Sequence, residues 1–498
     1  EIERMNHLII LPVAIYLGAA FLISLLWRKD DKLAGAAAVS FVFLSAVISI
    51  ISGIDVFTNG KMLYFAGGWE KPLGIVLMLD PLSSIFLIMT NVIAFFIMLY
   101  STVYMKKYTW APYFYTLFMI MLAGMNGILI SMDIFNIYVF FEIASIASFI
   151  LVAFGLKAEE LEASMKYTVM SFIASTMILF AIALIYGFTG TLNIPAFMSE
   201  AAGLSPVHLW FLAGLLLSGF ALKTALVPFH SWLPDAHSMA PAPVSAILSG
   251  MFVKVVGLYV IIRITTNIFI TLPQIRVLLL LFGVLSMLFG GLMAYGQQNI
   301  KRLYAYSTIS QVGYCAIGLG IGGYLGCLGV LMHFIAHAFS KSLLFLNIGA
   351  IEYMTGTTEA NQLKGLNDRM PVTTLLGSTG MLGIAGVPPM GNFWSKLIII
   401  LAAIKAGYPG IAVLCIIVAV ITLGYFLKLQ RTVYYNRVEN PVKKEAPKML
   451  LFPMGVLTLL VFISGILLVP GIKEKTLDRA VSVMENFSYM DIKIGEKR

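Results

Sequence analysis

Charge is what this sequence has least of. Of 498 residues only 11% are Asp, Glu, Lys or Arg, against 60% hydrophobic, where a soluble chain carries roughly 25% charged residues. That shortage excludes a water-soluble globule and leaves a polytopic membrane protein. Cysteine is scarce too. Cys315, Cys327 and Cys415 all lie in apolar stretches without C-x-x-C spacing, which argues against an iron–sulfur or zinc site. No G-x-G-x-x-G element follows a strand, so no nucleotide fold is indicated. The expected cofactor set is therefore empty: no metal and no redox group. The first apolar segment has no small-residue cleavage site after it and reads as a retained helix. The net charge of +9 points to the positive-inside rule before nucleic acid.

Long hydrophobic runs take the place of charge. At ~20 apolar residues per helix, about fourteen spans fit the chain. The run 371–404 is too long for one straight span and contains Gly386-Val387-Pro388-Pro389-Met390-Gly391, so it reads as a broken helix. The expected fold is an all-α polytopic membrane protein with helices 7 and 12 broken. Arg28, Lys29, Lys32, Lys106, Lys107, Lys157, Lys301, Arg302, Lys364, Arg369, Arg431, Arg437, Lys443, Lys444 and Lys448 fall after odd-numbered helices. The alternate short loops carry few, such as Lys61, Lys71, Arg276 and Lys405. Odd loops are thus expected on the cytoplasmic side of a prokaryotic cell membrane, with both termini outside.

The chain is organised around Phe220 to Lys254. An apolar helix carries Lys223 and breaks at Val227-Pro228. A short link holds His230, Trp232, Asp235 and His237, and a second apolar helix carries Lys254. Interrupted backbone at membrane depth is tolerated only against protein or a water-filled cavity, and a lysine there is expensive. Together they suggest a hydrated path for charge. Val387-Pro388-Pro389 with Trp394 and Lys396 echoes Val227-Pro228 with Trp232 and Lys223. The two breaks lie an odd number of helices apart, as in units inverted across the membrane, and paired interrupted helices point to a transporter's path.

Glu142 is the acid inside helix five, and Lys223 is its natural partner; the plainer reading is a satisfied structural carboxylate. Lys254 lies too far into its span to snorkel easily. His333, His337 and Lys341 are spaced i, i+4, i+8 on one helix face. Neutral imidazole can relay protons; packed structural histidines are the alternative, and zinc is disfavoured because no third ligand is evident. Lys396 follows the second break. His230, Asp235 and His237 either gather protons at an entrance or cap the short helix. The line Glu142, Lys223, Lys254, His337, Lys396 is mostly cationic or imidazole, whereas sodium wants oxygen ligands, so protons suit it better.

PFHSWLPDAHSMAPAPVSAILSGMFVK, the Glu142 helix, HFIAHAFSKSLLF and GVPPMGNFWSK resemble the antiporter-like subunits of respiratory complex I. They equally resemble the D-type subunit of multisubunit sodium/proton antiporters and its counterpart in membrane-bound energy-converting hydrogenases. The resemblance implies fourteen helices: 1–110 (helices 1–3), 111–265 (helices 4–8), 270–436 (helices 9–13, inverted relative to the former) and 437–498 (helix 14 and a short charged tail). It implies that Glu142 and Lys223 form the family's acid–lysine pair, that Lys254 and His337 form the central relay with His333 beside it, and that Lys396 is the terminal relay residue. Lysine there departs from the M type, and the short tail lacks the lateral helix of the L type, so the D-type or hydrogenase branch is favoured. The implied function is proton translocation inside a larger ion-pumping complex, with other membrane subunits, a redox module or further antiporter subunits among them, as partners. The competing readings are a self-sufficient secondary transporter of a small solute and an inactive scaffold.

Overall fold

The computed structural model describes residues 7–26, 30–69, 74–201, 203–265, 272, 274–436 and 443–485. Arg28, Lys29, Lys71 and Arg437, used above to orient the chain, lie outside the described residues. The helices run in order α1 (Leu11–Leu26), α2 (Asp31–Asn59), α3 (Pro81–Tyr104), α4 (Ala111–Ile130), α5 (Ile134–Val152), α6 (Ala158–Thr189), α7 (Ile194–Ala201), α8 (Pro206–Lys223) and α9 (Trp232–Met239). They continue as α10 (Ala242–Arg263), α11 (Gln274–Tyr295), α12 (Ile300–Ile321), α13 (Gly323–Thr355), α14 (Pro371–Ala385), α15 (Gly391–Lys405), α16 (Pro409–Tyr434), α17 (Lys448–Leu468) and α18 (Leu477–Glu485). Among the described residues, 11 helices are long and apolar enough to cross a membrane, with α1 and α14 as shorter apolar helices. Helices dominate because lipid offers no partner to backbone N–H and C=O groups.

Caps fix where several of them start. Asp80 accepts the Ser83 amide at 2.8 Å while Ser83 Oγ accepts the Asp80 amide at 2.9 Å, with Pro81 opening α3. Asp133 and Asn299 cap α5 and α12 through the amides of Asn136 and Arg302. One departure from an all-helical chain is an antiparallel hairpin, β1 (Met62–Phe65) with β2 (Val76–Leu79), in register Met62 with Leu79. Its alternation is too short to stand out beside long apolar runs, and β2 leads directly into the third span.

The centre of the bundle is α13. It packs against α3, α10, α12, α14, α15, α17 and α18, and its most apolar window is 100% buried, as is that of α10. Helices meet closely where side chains vanish: a Cβ on Gly313 of α12 would stand 2.5 Å from the Met287 backbone nitrogen of α11. Both expected breaks exist. One lies between α8 and α9, the other between α14 and α15. The broken pair α8/α9 packs on α6, and the broken pair α14/α15 packs on α13.

Candidate functional site

The first break falls earlier than Val227-Pro228: α8 ends on Lys223 itself. The lysine therefore stands at a helix C-terminus, where its charge complements the helix dipole and the unpaired carbonyls. Trp232 Nε1 donates to the Leu222 carbonyl at 2.9 Å, and the Val227 amide donates to Ser286 Oγ of α11 at 2.8 Å. The exposed backbone of the break is thus partly met by protein. A Cβ on Gly257 would run into Thr224, 2.9 Å from its Cα, so glycine is what lets α10 lean on this turn.

Lys223 is 1% exposed. The expected direct contact with Glu142 is not made; serines stand between them. Lys223 donates to Ser145 Oγ of α5 at 3.1 Å and to Ser171 Oγ of α6, and Ser175 Oγ, one turn along α6, donates to Glu142. The ammonium also sits 3.8 Å from the Phe141 ring centroid, a cation–π contact that holds it against the α5 face. Glu142 is half-buried. Ser175 Oγ also lies at 3.0 Å from the Ser171 carbonyl, so Glu142 and Lys223 are held on serines one turn apart on α6, without an ion pair and with no hydrogen bond between the two hydroxyls among the described residues.

Lys254 lies in a stretch of α10 whose turns are widened to π geometry, Leu248–Phe252 and Lys254–Tyr259. Such turns recur at functional sites because they free carbonyls. Here Lys254 Nζ takes two, Ser249 O and Gly250 O, each at 2.6 Å. Ser249 Oγ reaches Thr308 Oγ1 of α12 at 2.7 Å. Both bonds of the ammonium are thus spent within α10, and neither reaches Lys223 or His337.

At the second break Lys396 repeats the logic of Lys223 from the other side. It projects from the first turns of α15 and donates to the last carbonyls of α14, Ile384 O at 2.7 Å and Ala385 O at 3.1 Å. Tyr314 of α12 lies beside it, 5.3 Å from ammonium to ring centroid, and stacks on His333 at 5.7 Å. His333 stacks in turn on His337 at 5.7 Å and shares a 2.9 Å hydrogen bond between Nδ1 and Ser395 Oγ. His333, His337 and Lys341 do share one face of α13, but Lys341 turns to the Tyr304 carbonyl at 2.7 Å. Nε2 of both histidines, both amide atoms of Gln311 and Oδ1 of Asn392 are buried without a hydrogen-bond partner among the described residues. Buried polar atoms in native proteins are met by protein or ordered water, so this cluster is a polar seam through an apolar bundle.

The three link residues separate. Asp235 is fixed by Arg302 at 2.6 Å and Lys166 at 3.2 Å, tying α9 to α12 and α6. His237 is fully buried between the rings of Trp232 and Phe345, and neither ring nitrogen has a hydrogen-bond partner among the described residues. His230 packs edge-on against Phe289. Pro228, Pro388 and Pro389 lie in the two breaks, whose Val227–Pro228 and Pro388–Pro389 peptides are cis.

Two groups thus assemble: Glu142, Ser175, Ser171, Ser145 and Lys223 at the first break, and Lys396, Tyr314, His333, His337 and Ser395 at the second, with Lys254 buried in α10. Sequence reading missed the serines, Tyr314 and Gln311. The one available signal was Ser171 and Ser175 at i, i+4 within the membrane-spanning part of α6.

A helical membrane bundle with two broken helices and several buried basic side chains defines a class of membrane subunits built to pass charge. Similarity to known proteins gives that class its family. Residues 131–422 match the family model "NADH:quinone oxidoreductase/Mrp antiporter, TM", and residues 70–115 match "NADH-Ubiquinone oxidoreductase (complex I), chain 5 N-terminus"; the chain belongs to this NADH:quinone oxidoreductase/Mrp antiporter family. It is 32% identical to the D-type subunit of the Na(+)/H(+) antiporter of Alkalihalophilus pseudofirmus, over 99% of this chain and 100% of that protein. It superposes with a TM-score of 0.89 and 31% identity on a chain of the membrane-bound sulfane sulfur reductase, an archaeal respiratory membrane complex, covering 96% and 98% of the two chains. A chain of the Mrp complex from Dietzia sp. shares the fold, with a TM-score of 0.91 at 24% identity over 98% and 99% of the chains.

Proposed function

We propose that this chain is the proton-translocating membrane subunit of a multisubunit ion-pumping complex, of the D-type antiporter or energy-converting branch, with other membrane subunits of that complex as its partners. The observation that carries the reading is the placement of Lys223 and Lys396, each buried at a helix break and each hydrogen-bonded to a neighbouring helix or its freed carbonyls. A buried ammonium held by neutral acceptors can lose its proton without leaving an anion stranded, which a salt-bridged one cannot.

In the proposed path, Glu142 acts on Lys223 through Ser175 and Ser171. The proton then moves by way of Lys254 to His337 and His333, and Lys396 is the terminal carrier. Water at the unpaired atoms of Gln311 and the histidines would complete the stretches that side chains do not span. Lys341, His230, Asp235 and His237 support the path or its entrance, Asp235 by anchoring α9. The division into 111–265 and 270–436 as inverted units is part of the proposal. Its support is that each unit's third helix, α6 or α13, carries that unit's broken pair, and the same division gives the fourteen-span count.

The test is proton uptake into inverted vesicles by the assembled complex carrying Lys254→Gln. The charge is removed while side-chain length is nearly kept. Loss of at least roughly tenfold, the equivalent of ~1.4 kcal/mol on the barrier, is expected. Uptake equal to wild type at equal assembly would remove Lys254 from the path.

A further inference from the structure

The turns at one end of the bundle form a second polar feature that the path does not use. The α3–α4 turn and the α5–α6 turn are packed together, Tyr108 meeting Phe154 edge-on at 6.1 Å. Together with the end of α13 they enclose an open cleft of about 550 Å³ lined by Lys106, Lys107, Lys157, Glu352, Tyr353 and Gly356.

The cleft's one carboxylate is already committed. Glu352 takes Lys301 at 2.8 Å, Tyr104 Oη at 3.0 Å and Lys107 at 3.3 Å. Lys107 is steered further by Tyr104 Oη at 2.7 Å. That leaves Lys106 and Lys157, both exposed, with no ion-pair or hydrogen-bond partner for either ammonium among the described residues. Two exposed lysines without a direct ion pair therefore face one cleft, with Glu160 as a more distant carboxylate acting on Lys157.

Close in the chain to the lining lysines, apolar side chains are pushed outward. Trp110, three residues after Lys107, is 65% exposed, and Leu156, next to Lys157, is 70% exposed. Both hold left-handed backbone, with φ of 72° and 57°, an uncommon conformation for bulky residues. Tyr113, 42% exposed, lies edge-on to Trp110. Tryptophan and tyrosine at a helix end mark the headgroup level of a bilayer. Lysines beside exposed apolar groups at that level match a molecule with a phosphate at one end and hydrocarbon at the other.

We propose that this cleft is a binding site for the phosphate of an anionic phospholipid, with Lys106 and Lys157 as ligands and Trp110 and Leu156 against the acyl chains. A soluble phosphate would satisfy the lysines but leave the two apolar flanks without a role. The proposal does not rest on the proton path and stands or falls separately.

The experiment uses the intact complex in nanodiscs with trace photoreactive phosphatidylglycerol or a photoreactive phosphatidylcholine of the same chains. Cross-links are mapped by mass spectrometry to 105–113 and 153–161. The glycerol lipid is expected to label these segments over the choline lipid by roughly 10- to 30-fold, the size set by two juxtamembrane lysines. Lys106→Gln with Lys157→Gln should bring labelling down to the choline level, and Lys106→Arg with Lys157→Arg should restore it. Equal labelling by both lipids, labelling unchanged in the glutamine pair, or complete displacement by inorganic phosphate would each overturn the assignment, the last by showing a soluble-anion site.

Discussion

At the scale of single residues, a lysine must be kept in hydrocarbon without a counter-ion. Each of the three path lysines is bonded to neutral oxygens: Ser145 and Ser171 for Lys223, Ser249 and Gly250 carbonyls for Lys254, Ile384 and Ala385 carbonyls for Lys396. Hydrogen bonds to a charged group are worth about 1.5–3 kcal/mol each. Ser171→Ala is therefore expected to weaken Lys223's hold by that order and to cut proton uptake of the assembled complex about tenfold. Ser171→Thr, which keeps the hydroxyl, should retain activity; equal loss in both variants would assign Ser171 to packing instead. The charged residues were legible in the sequence because a charge in an apolar run has few structural explanations. The serines were not, because a serine on an apolar helix usually satisfies itself on the preceding turn, as Ser340 does on Ala336.

At the scale of elements, the breaks were readable from proline and glycine, but their positions were set by packing. Nothing in the local sequence ends α8 at Lys223 in place of Val227. The contacts of Trp232 and Ser286 with the turn do so, and they come from other segments. The π turns of α10 were equally silent, since widening a turn leaves a fully apolar run fully apolar. Gly257 is the contact on which α10 meets the break. Gly257→Ala would set a methyl 2.9 Å from the Thr224 Cα, an overpacking that costs about 1–3 kcal/mol, read as a lowered melting temperature of the purified complex together with lost uptake.

The α3 end of α10 offers a separate test. Asp80, just ahead of α3, forms a buried ion pair with Arg263 at 2.7 Å. Burial alone pushes the Asp80 carboxyl up, but the Arg263 charge and the hydrogen bonds from Arg263 and Ser83 outweigh it and hold it below the usual carboxylate range. A carboxyl depressed in the folded state adds stability above its unfolded value, and that stability is lost as pH falls through the folded one. Asp80→Asn should thus cost about 3–5 kcal/mol at neutral pH. The gap in melting temperature from wild type should hold down to pH ~4 and close only in stronger acid. A gap that is already closed at pH 5 would contradict the depressed carboxyl.

At the scale of the whole molecule, the chain offers a path but no engine. Composition showed the membrane class, and repeat and motif pointed to the family that its relatives establish. What the sequence left open was whether the buried groups form one line, because a line is a property of helix packing. The structure brings Lys396, Tyr314 and the two histidines together, holds Glu142 and Lys223 on serines one turn apart on α6, and buries Lys254 in α10. Purified alone in liposomes, the chain should show little solute- or sodium-driven transport, since the proposal places the driving force in partner subunits; robust transport by the single chain would favour a self-sufficient carrier.

The most direct test of a single continuous line uses its two ends. Proton uptake is measured in inverted vesicles, normalised to assembled complex, for Lys223→Gln, for Lys396→Gln and for both together. Groups acting in series fail together, so the effects of the two substitutions should not add. Either substitution alone should reduce uptake roughly tenfold or more, and the double variant should be no worse than the more impaired of the two singles. Partial losses that multiply in the double variant would mean that the two breaks serve separate paths, and the account of one line through this subunit would be wrong.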